Sequence, residues 1–165
     1  GAKCQIITQD GIKEVMIEEL HEGVGISKID STKEILLKII VEKPQNKYGT
    51  AMTRFAAREA LALPMANAAV KLEVEEGKII DAVIAIAPVA KTPFRPKSAE
   101  RFLIGKDLNS SYIAEEAAEL ASQEANPRDS LLRGSSKYRK ALIKDLVYRA
   151  VDDALNRILE DKEVQ

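Results

Sequence analysis

The feature that most constrains the fold is a change of hydrophobic period at Pro88. From Thr50 to Ile86, apolar and polar residues alternate, which is typical of strands that bury one face. After Pro88, apolar residues recur at helical spacing. Three strands followed by three helices predict an α+β fold, in which helices cover one face of an antiparallel sheet of three or four strands.

The boundaries of these elements follow from turn and cap residues. The glycine in Glu75–Lys78 can take a positive φ, so this segment is predicted to be a hairpin turn. The predicted strands are residues 50–58, 65–75 and 79–86. The predicted helices are residues 97–104, stopped by Gly105, residues 112–124, capped by the polar cluster at 109–111, and a long amphipathic helix capped by Ser135 or Ser136.

The residues ahead of this block predict a separate β-rich segment. Residues 3–8 and 12–18 form a predicted hairpin, residues 21–30 a predicted loop, and residues 34–42 a β-branched strand. The run "KPQNKYG" at 43–49 then interrupts the pattern, because its proline cannot donate to a ladder. We expect a domain boundary at this run.

Composition excludes several classes of function. The chain has 165 residues and a net charge of −1, with basic and acidic residues interspersed, which disfavours a nucleic-acid partner. Its longest apolar runs, such as residues 60–70, are too short to cross a membrane. Cys4 is the single cysteine, so no internal disulfide forms, and we expect a cytoplasmic protein.

Candidates for catalysis are few. The single histidine, His21, lies in the predicted loop, and a solvated loop histidine is the plainer interpretation beside a Cys4–His21 dyad. The "GVG" run at 23–25 lacks the third glycine of a dinucleotide-binding loop. The residues alone therefore predict no catalytic residue and no metal ligand.

Four segments, in order, resemble one family. They are "STKEILLKIIVEKP" (31–44), "AMTRFAAREALALPMANAAVKL" (51–72), "IDAVIAIAPVAKTPFRPKSAERFLIGKDL" (80–108) and "EANPRDSLLRGSSKYRKALIKDLVYRAV" (124–151). Each is similar to a segment of the FAD-binding, or medium, subunit of the molybdenum hydroxylases, such as xanthine dehydrogenase and carbon monoxide dehydrogenase. The resemblance implies that residues 1–46 are the C-terminal remnant of an FAD-binding domain. Residues 47–165 would be the family's C-terminal α+β domain.

The resemblance also implies a function. In this family the subunit binds FAD, which takes electrons from two [2Fe–2S] clusters and passes them to NAD or another acceptor. The implied partners are a molybdopterin-binding large subunit and a [2Fe–2S] small subunit, with a homo-oligomer as a further possibility. The glycine-rich half that binds the FAD pyrophosphate in the family has no counterpart in these residues. We therefore expect this chain by itself to bind FAD weakly or not at all.

Carried over residue by residue, the resemblance suggests two flavin-contacting side chains. Leu36 would pack on the flavin side of the closing strand, with a plain core residue as the alternative. Arg54 stands where the family has a lysine and would face the flavin or its phosphates, with a surface strand residue as the alternative. Arg58 and Glu59 are further candidates beside it.

Two hypotheses of different classes follow. In the first, the chain is part of an FAD-dependent electron-transfer subunit. In the second, it is a non-catalytic docking or assembly module derived from the same C-terminal domain, and it binds no flavin by itself. Tyr138 and Arg139 are marked by the resemblance as well. We expect them to be structural, with the Tyr138 ring buried against the sheet.

Overall fold

The computed structural model describes residues 1–58 and 60–160. The chain divides into two compact units, Gly1–Lys43 and a larger one that begins at Pro44. Each unit has its own sheet, and the two are described separately.

The first unit is built on a three-stranded antiparallel sheet. Its strands are β1 (Lys3–Thr8), β2 (Gly11–Met16) and β5 (Ile35–Ile40), in the order β2-β1-β5. The predicted hairpin and the predicted β-branched strand are both confirmed. Cys4 and Ile6 on the central strand are buried.

The segment between β2 and β5 is more ordered than the sequence predicts. A 3-10 helix (Ile17–Leu20) leads into a two-stranded ladder of β3 (His21–Gly23) and β4 (Ile26–Ser27). The prediction of a loop at residues 21–30 is therefore wrong. Gly25 has φ +69° and allows the chain to reverse within two residues, which brings the two short strands together.

The second unit contains the predicted meander. Its strands are β6 (Lys47–Ala56), β7 (Pro64–Glu75) and β8 (Lys78–Ala87), all antiparallel and in sequential order. Glu76 and Gly77 both have positive φ, at 50° and 79°, as the tight turn between β7 and β8 requires. Side chains alternate along β7, and every second one from Ala66 to Val74 is buried.

Three helices cover that buried face. They are α1 (Lys97–Leu103), α2 (Ile113–Glu124) and α3 (Ser136–Glu160). The core combines the inward side chains of the sheet, such as Ile84, with the apolar stripe of α3, such as Val147. The predicted α+β class, with helices on one face of the sheet, is confirmed.

Of the predicted N-terminal caps of α3 and α2, the first is confirmed and the second is wrong. The Ser135 hydroxyl accepts a bond of 3.2 Å from the Tyr138 amide, which confirms the predicted cap of α3. The polar cluster at 109–111 does not cap α2, because the residue before that helix is Tyr112 and its side chain makes no cap bond.

The long helix is held against the sheet by a close approach. The Thr53 hydroxyl donates to the Leu146 carbonyl at 2.8 Å. Further along, Gly49 faces α3 so closely that a Cβ there would overlap the Ala154 carbonyl oxygen and lie 2.7 Å from the Ile158 side chain. A glycine at this point of β6 is what allows the helix to pack on the strand.

Candidate functional site

Leu36, the first predicted flavin contact, lies on β5 at the edge of its sheet. It is 40% exposed, so the structure does not make it a core residue. Its neighbours in the strand are exposed as well, including Ile35, Leu37 and Ile39. Alternate residues of a strand point to opposite faces, so β5 presents apolar side chains on both sides and along a free edge.

Arg54, the second predicted contact, lies on β6 with its side chain on the face opposite the helices. The neighbouring Thr53 bonds to α3, and strand alternation places Arg54 on the other side. Its guanidinium donates to the Ala62 carbonyl in the β6–β7 connection. Part of its hydrogen-bonding capacity therefore holds this connection in place.

The β6–β7 connection carries exposed apolar residues. Leu61 has φ +51°, an uncommon conformation for a leucine, and its carbonyl accepts a bond of 3.0 Å from Arg58. Leu61 and Leu63 are 95% and 82% exposed. Glu59, the remaining candidate beside Arg54, lies outside the described residues. Two arginines thus brace a short connection whose leucines point into solvent.

The open face of this sheet is a shallow apolar surface. Met52, Ala69 and Ala85 stand in one row across the three strands and line a depression of about 400 Å³. Lys71 borders it and forms ion pairs with Glu73 and Asp81. Arg54 lies on the same face, two residues after Met52 on β6.

The structure places Leu36 in the first unit and Arg54 in the second. Each lies on an exposed surface of its own unit. Leu36 supplies an apolar side chain and Arg54 a cationic one, and these two residues by themselves do not make up a complete flavin site.

A buried carboxylate, Glu100, is the main feature that the sequence analysis missed. Its two oxygens accept from the Arg95 guanidinium at 2.7 and 3.1 Å, from the Ile84 amide at 2.9 Å, and from the Lys97 amine at 2.9 Å. Burial disfavours its charged form, but these donors outweigh burial and lower the pKa of Glu100 below its ordinary value. A carboxylate held ionised in this way ties α1 to β8 and is unsuited to proton transfer.

The signal for this cluster was present in the sequence. Arg95 precedes α1 and Glu100 lies in its first turn, where a carboxylate is stabilised by the helix dipole. What the spacing did not show is that Glu100 points inward, toward the backbone of β8.

Arg139 is the second buried charge, and it is structural as expected. It is 5% exposed and donates to the Arg128 carbonyl at 2.7 Å and to the Pro88 carbonyl. Burial lowers the pKa of Arg139, and the nearby Arg133 and Arg128 lower it further. The expectation for Tyr138 is wrong, because its ring is 45% exposed and lies against Gly134 instead of the sheet. The position at the entry of α3 turns Arg139 inward and Tyr138 outward.

The remaining candidates for catalysis are Cys4 and His21. Cys4 is fully buried in β1, and His21 begins the exposed strand β3. Among residues 1–58 and 60–160, no group of three or more His, Cys, Asp or Glu side chains is placed to hold a metal ion. None of the helices in this part of the chain is long and apolar enough to cross a membrane.

Comparison with known proteins identifies the family. The CO dehydrogenase flavoprotein C-terminal domain family matches residues 51–154, which is more than half of the chain. The chain belongs to this family, as the four segments predicted.

Full-length relatives match over both units. The chain is 25% identical to the xanthine dehydrogenase FAD-binding subunit of Escherichia coli O157:H7, over 93% of this chain and 52% of that protein. It is 27% identical to the carbon monoxide dehydrogenase medium chain of Afipia carboxidovorans, over 95% and 53%. The chain spans about half the length of these curated relatives.

Solved structures show the same fold. A chain of quinoline 2-oxidoreductase from Pseudomonas putida 86 superposes with a TM-score of 0.83 at 25% identity, covering 96% of this chain and 53% of that one. A chain of the carbon monoxide dehydrogenase from Hydrogenophaga pseudoflava gives 0.84 at 25% identity, covering 94% and 53%. The architecture of both units therefore recurs in enzymes of this class.

Proposed function

We propose that this chain is part of the FAD-binding electron-transfer subunit of a molybdopterin-dependent hydroxylase or dehydrogenase. In the assembled protein, FAD takes electrons from [2Fe–2S] clusters and passes them to an acceptor. The partners are a molybdopterin-binding large subunit and a [2Fe–2S] small subunit, in the cytoplasm. The observation that carries the proposal is the family match over residues 51–154.

The first unit supports the proposal because its strand β5 is exposed. Strand β5 exposes apolar side chains on both faces and lies at the edge of a three-stranded sheet. Native proteins usually cover or pair such a strand, because an exposed apolar edge is a template for aggregation. We therefore assign residues 1–46 to the end of a larger FAD-binding domain, and residues 47–165 to the family's C-terminal domain. Leu36 on β5 then contacts the flavin.

Arg54 is the flavin contact that we propose for the second unit. It is an exposed cation on the open face of the sheet, beside a braced connection. A guanidinium there favours a phosphate or an electron-rich ring, which it meets with its planar fork. The resemblance to the family implies that the FAD pyrophosphate is held chiefly by a glycine-rich half that has no counterpart in these residues.

One purification tests the proposal. This chain, tagged and isolated from its natural producer together with all associated polypeptides, is expected to carry stoichiometric FAD, seen by its absorption spectrum and by mass spectrometry after release. The isolated 165-residue chain is expected to bind FAD more weakly than micromolar in a titration. An assembly free of flavin would refute the proposal.

The role of Arg54 is tested in the same assembly. Arg54→Ala is expected to weaken FAD binding about tenfold, the effect of one charge-assisted hydrogen bond. Met52→Ala, on the same face, is the matched control and is expected to leave the affinity within about twofold. An equal loss in both variants would point to the connection or the sheet instead of a flavin contact.

A second function is favoured by one observation. The second unit has a continuous core of its own, formed by the sheet and the helices that cover it. This agrees with a docking or assembly module that binds no flavin. An assembly that contains the partner subunits but no FAD would select this function.

A further inference from the structure

Two adjacent leucines project from the turn that leads into α3. Residues Ser130 to Gly134, which we name the leucine turn, close on themselves through two backbone bonds of 2.9 and 3.1 Å between Ser130 and Gly134. At its tip Leu131 and Leu132 are 107% and 91% exposed, against 45% for the ring of Tyr138 nearby. Two adjacent large apolar side chains that are exposed together form a contiguous patch of the kind that marks an interaction site.

The leucine turn is held in one shape. The Arg133 amide donates to the Ser130 hydroxyl at 3.2 Å, and Gly134 takes φ +88°. The ring of Tyr138 lies against Gly134, within 2.8 Å of where a Cβ would be. A pair of apolar side chains on a fixed turn loses little conformational entropy on binding, which is the property of a preorganised contact.

A buried side chain fixes the base of the turn to the sheet. Arg139 donates to the carbonyl of Arg128, just before the turn, and to the carbonyl of Pro88, just after β8. This side chain is nearly fully buried. The direction in which the two leucines point is therefore set by the core of the unit and not by the turn alone.

The surroundings of the turn are strongly basic in an otherwise balanced chain. Residues 128–140 contain five basic side chains and one acidic side chain, although the whole chain has a net charge of −1. The acidic one, Asp129, accepts from the Ser136 amide at the start of α3. Among the ion pairs of the described residues, none involves Arg128, Arg133 or Lys137.

We propose that the leucine turn is a docking element that inserts Leu131 and Leu132 into an apolar pocket with an acidic rim on a partner protein. The apolar tip matches the core of a protein interface, and the unpaired cations around it match a rim of opposite charge. This inference rests on the proposed function in one respect. The partner is one of the subunits assembled around the flavin subunit.

A protein pocket fits these observations better than a lipid surface. Membrane attachment through an exposed segment requires a wide apolar face, usually a helix, with aromatic side chains at the headgroup level. The leucine turn offers two side chains on five rigid residues and has no aromatic residue among them. A fixed, narrow projection is suited to a pocket of complementary shape.

The test uses the full chain and the partner subunits that are separated from its natural assembly. Leu131→Ser with Leu132→Ser is compared with a control, Val24→Ser with Ile26→Ser, which changes residues that are 64% and 55% exposed. The affinity of the tagged chain for the separated partner subunits is measured by calorimetry. We expect the leucine pair to weaken binding at least tenfold and the control to change it less than twofold, with equal melting temperatures for both variants.

Two further experiments test whether the partner surface is acidic and whether the partner is a protein or a lipid membrane. Arg133→Glu is expected to weaken binding and to reduce its dependence on salt, because it removes one cation from the rim. Wild-type chain is also mixed with vesicles of equal parts phosphatidylcholine and phosphatidylglycerol. Loss of vesicle binding in the leucine variant, with unchanged subunit affinity, would overturn the proposal in favour of a lipid surface.

The outcomes separate this inference from the proposed function. If the wild-type assembly contains FAD and the leucine variant assembles with the same affinity, the docking element is refuted and the flavin function stands. If the wild-type assembly contains no FAD, but the leucine variant still loses its partner, the docking element stands and the flavin function is refuted.

Discussion

The two units of this protein differ in how far the faces of their sheets are covered. Each has a three-stranded antiparallel sheet. In the second unit three helices bury one face of that sheet, and inward side chains such as Ile84 are fully removed from water. In the first unit, β5 keeps apolar side chains exposed on both faces. The second unit therefore has a core that its helices cover, whereas the first unit leaves an apolar strand exposed.

The largest effect is expected where α3 meets β6. Gly49→Val places a branched side chain against the backbone of α3, which has no room for even one methyl group. We expect a loss of about 3 kcal/mol or more in the free energy of unfolding, measured by urea denaturation of the second unit.

Thr50→Val is the control for this change, because Thr50 is the next residue of β6 and lies on the exposed face. It is expected to change the free energy of unfolding by less than about 0.5 kcal/mol. Similar losses in both variants would mean that α3 does not pack on β6 as described.

The next effect compares the two faces of one strand. Ile84→Ala removes a fully buried side chain and is expected to cost about 2–5 kcal/mol of the free energy of unfolding. Val83→Ala, one residue away on the open face, is expected to cost less than about 1 kcal/mol. If the two losses are equal, the open face is covered in solution.

A smaller effect is expected at Glu100. Glu100→Gln keeps the shape of the side chain but removes the charge that Arg95 and Lys97 bind, and we expect a loss of about 1–3 kcal/mol near neutral pH.

The pH dependence of this effect has a definite sign. Because the folded protein lowers the pKa of Glu100, its contribution is complete above the unfolded value and is lost as pH falls through the lowered folded value. The difference in stability between wild type and Glu100→Gln should therefore shrink as the pH falls below the ordinary glutamate pKa of 4.5 and through the lowered folded pKa. A constant difference would show that the charge is not what the pocket stabilises.

The smallest effect on stability is expected in the first unit. Leu37→Ser with Ile39→Ser changes side chains that are 48% and 51% exposed, so the loss should be within about 1 kcal/mol. Aggregation of the isolated chain, followed by light scattering, should fall because the exposed strand loses its apolar surface. Unchanged aggregation would mean that β5 is not the surface that needs covering.

The fold was largely predictable because its elements are defined by local patterns. Strands β6 to β8 and helices α1 and α3 follow from a period of two and then of 3.6, and Gly105 and Ser135 mark helix ends through rules of backbone conformation. The ladder of β3 and β4 was missed because strands of two or three residues are too short to show a period.

The candidate site was less predictable, because it depends on which side chains turn inward. Glu100 and Arg139 look like ordinary charged residues of helices in the sequence, yet both are buried and bonded to backbone far along the chain. The outward position of Tyr138 follows from the same turn of α3. The family resemblance named Leu36 and Arg54, and the structure shows both on exposed surfaces, where their flavin contacts remain predictions.

By itself, the sequence determined the order and type of the main elements, the α+β class and the family. These depend on hydrophobic period, turn residues and ordered motifs, all of which are properties of neighbouring residues. Only the tertiary structure decided that β5 is uncovered, that Gly49 admits α3, that Glu100 is held ionised, and that two leucines project from a fixed turn. Each of these depends on residues far apart in the chain, whose approach and burial no local pattern encodes.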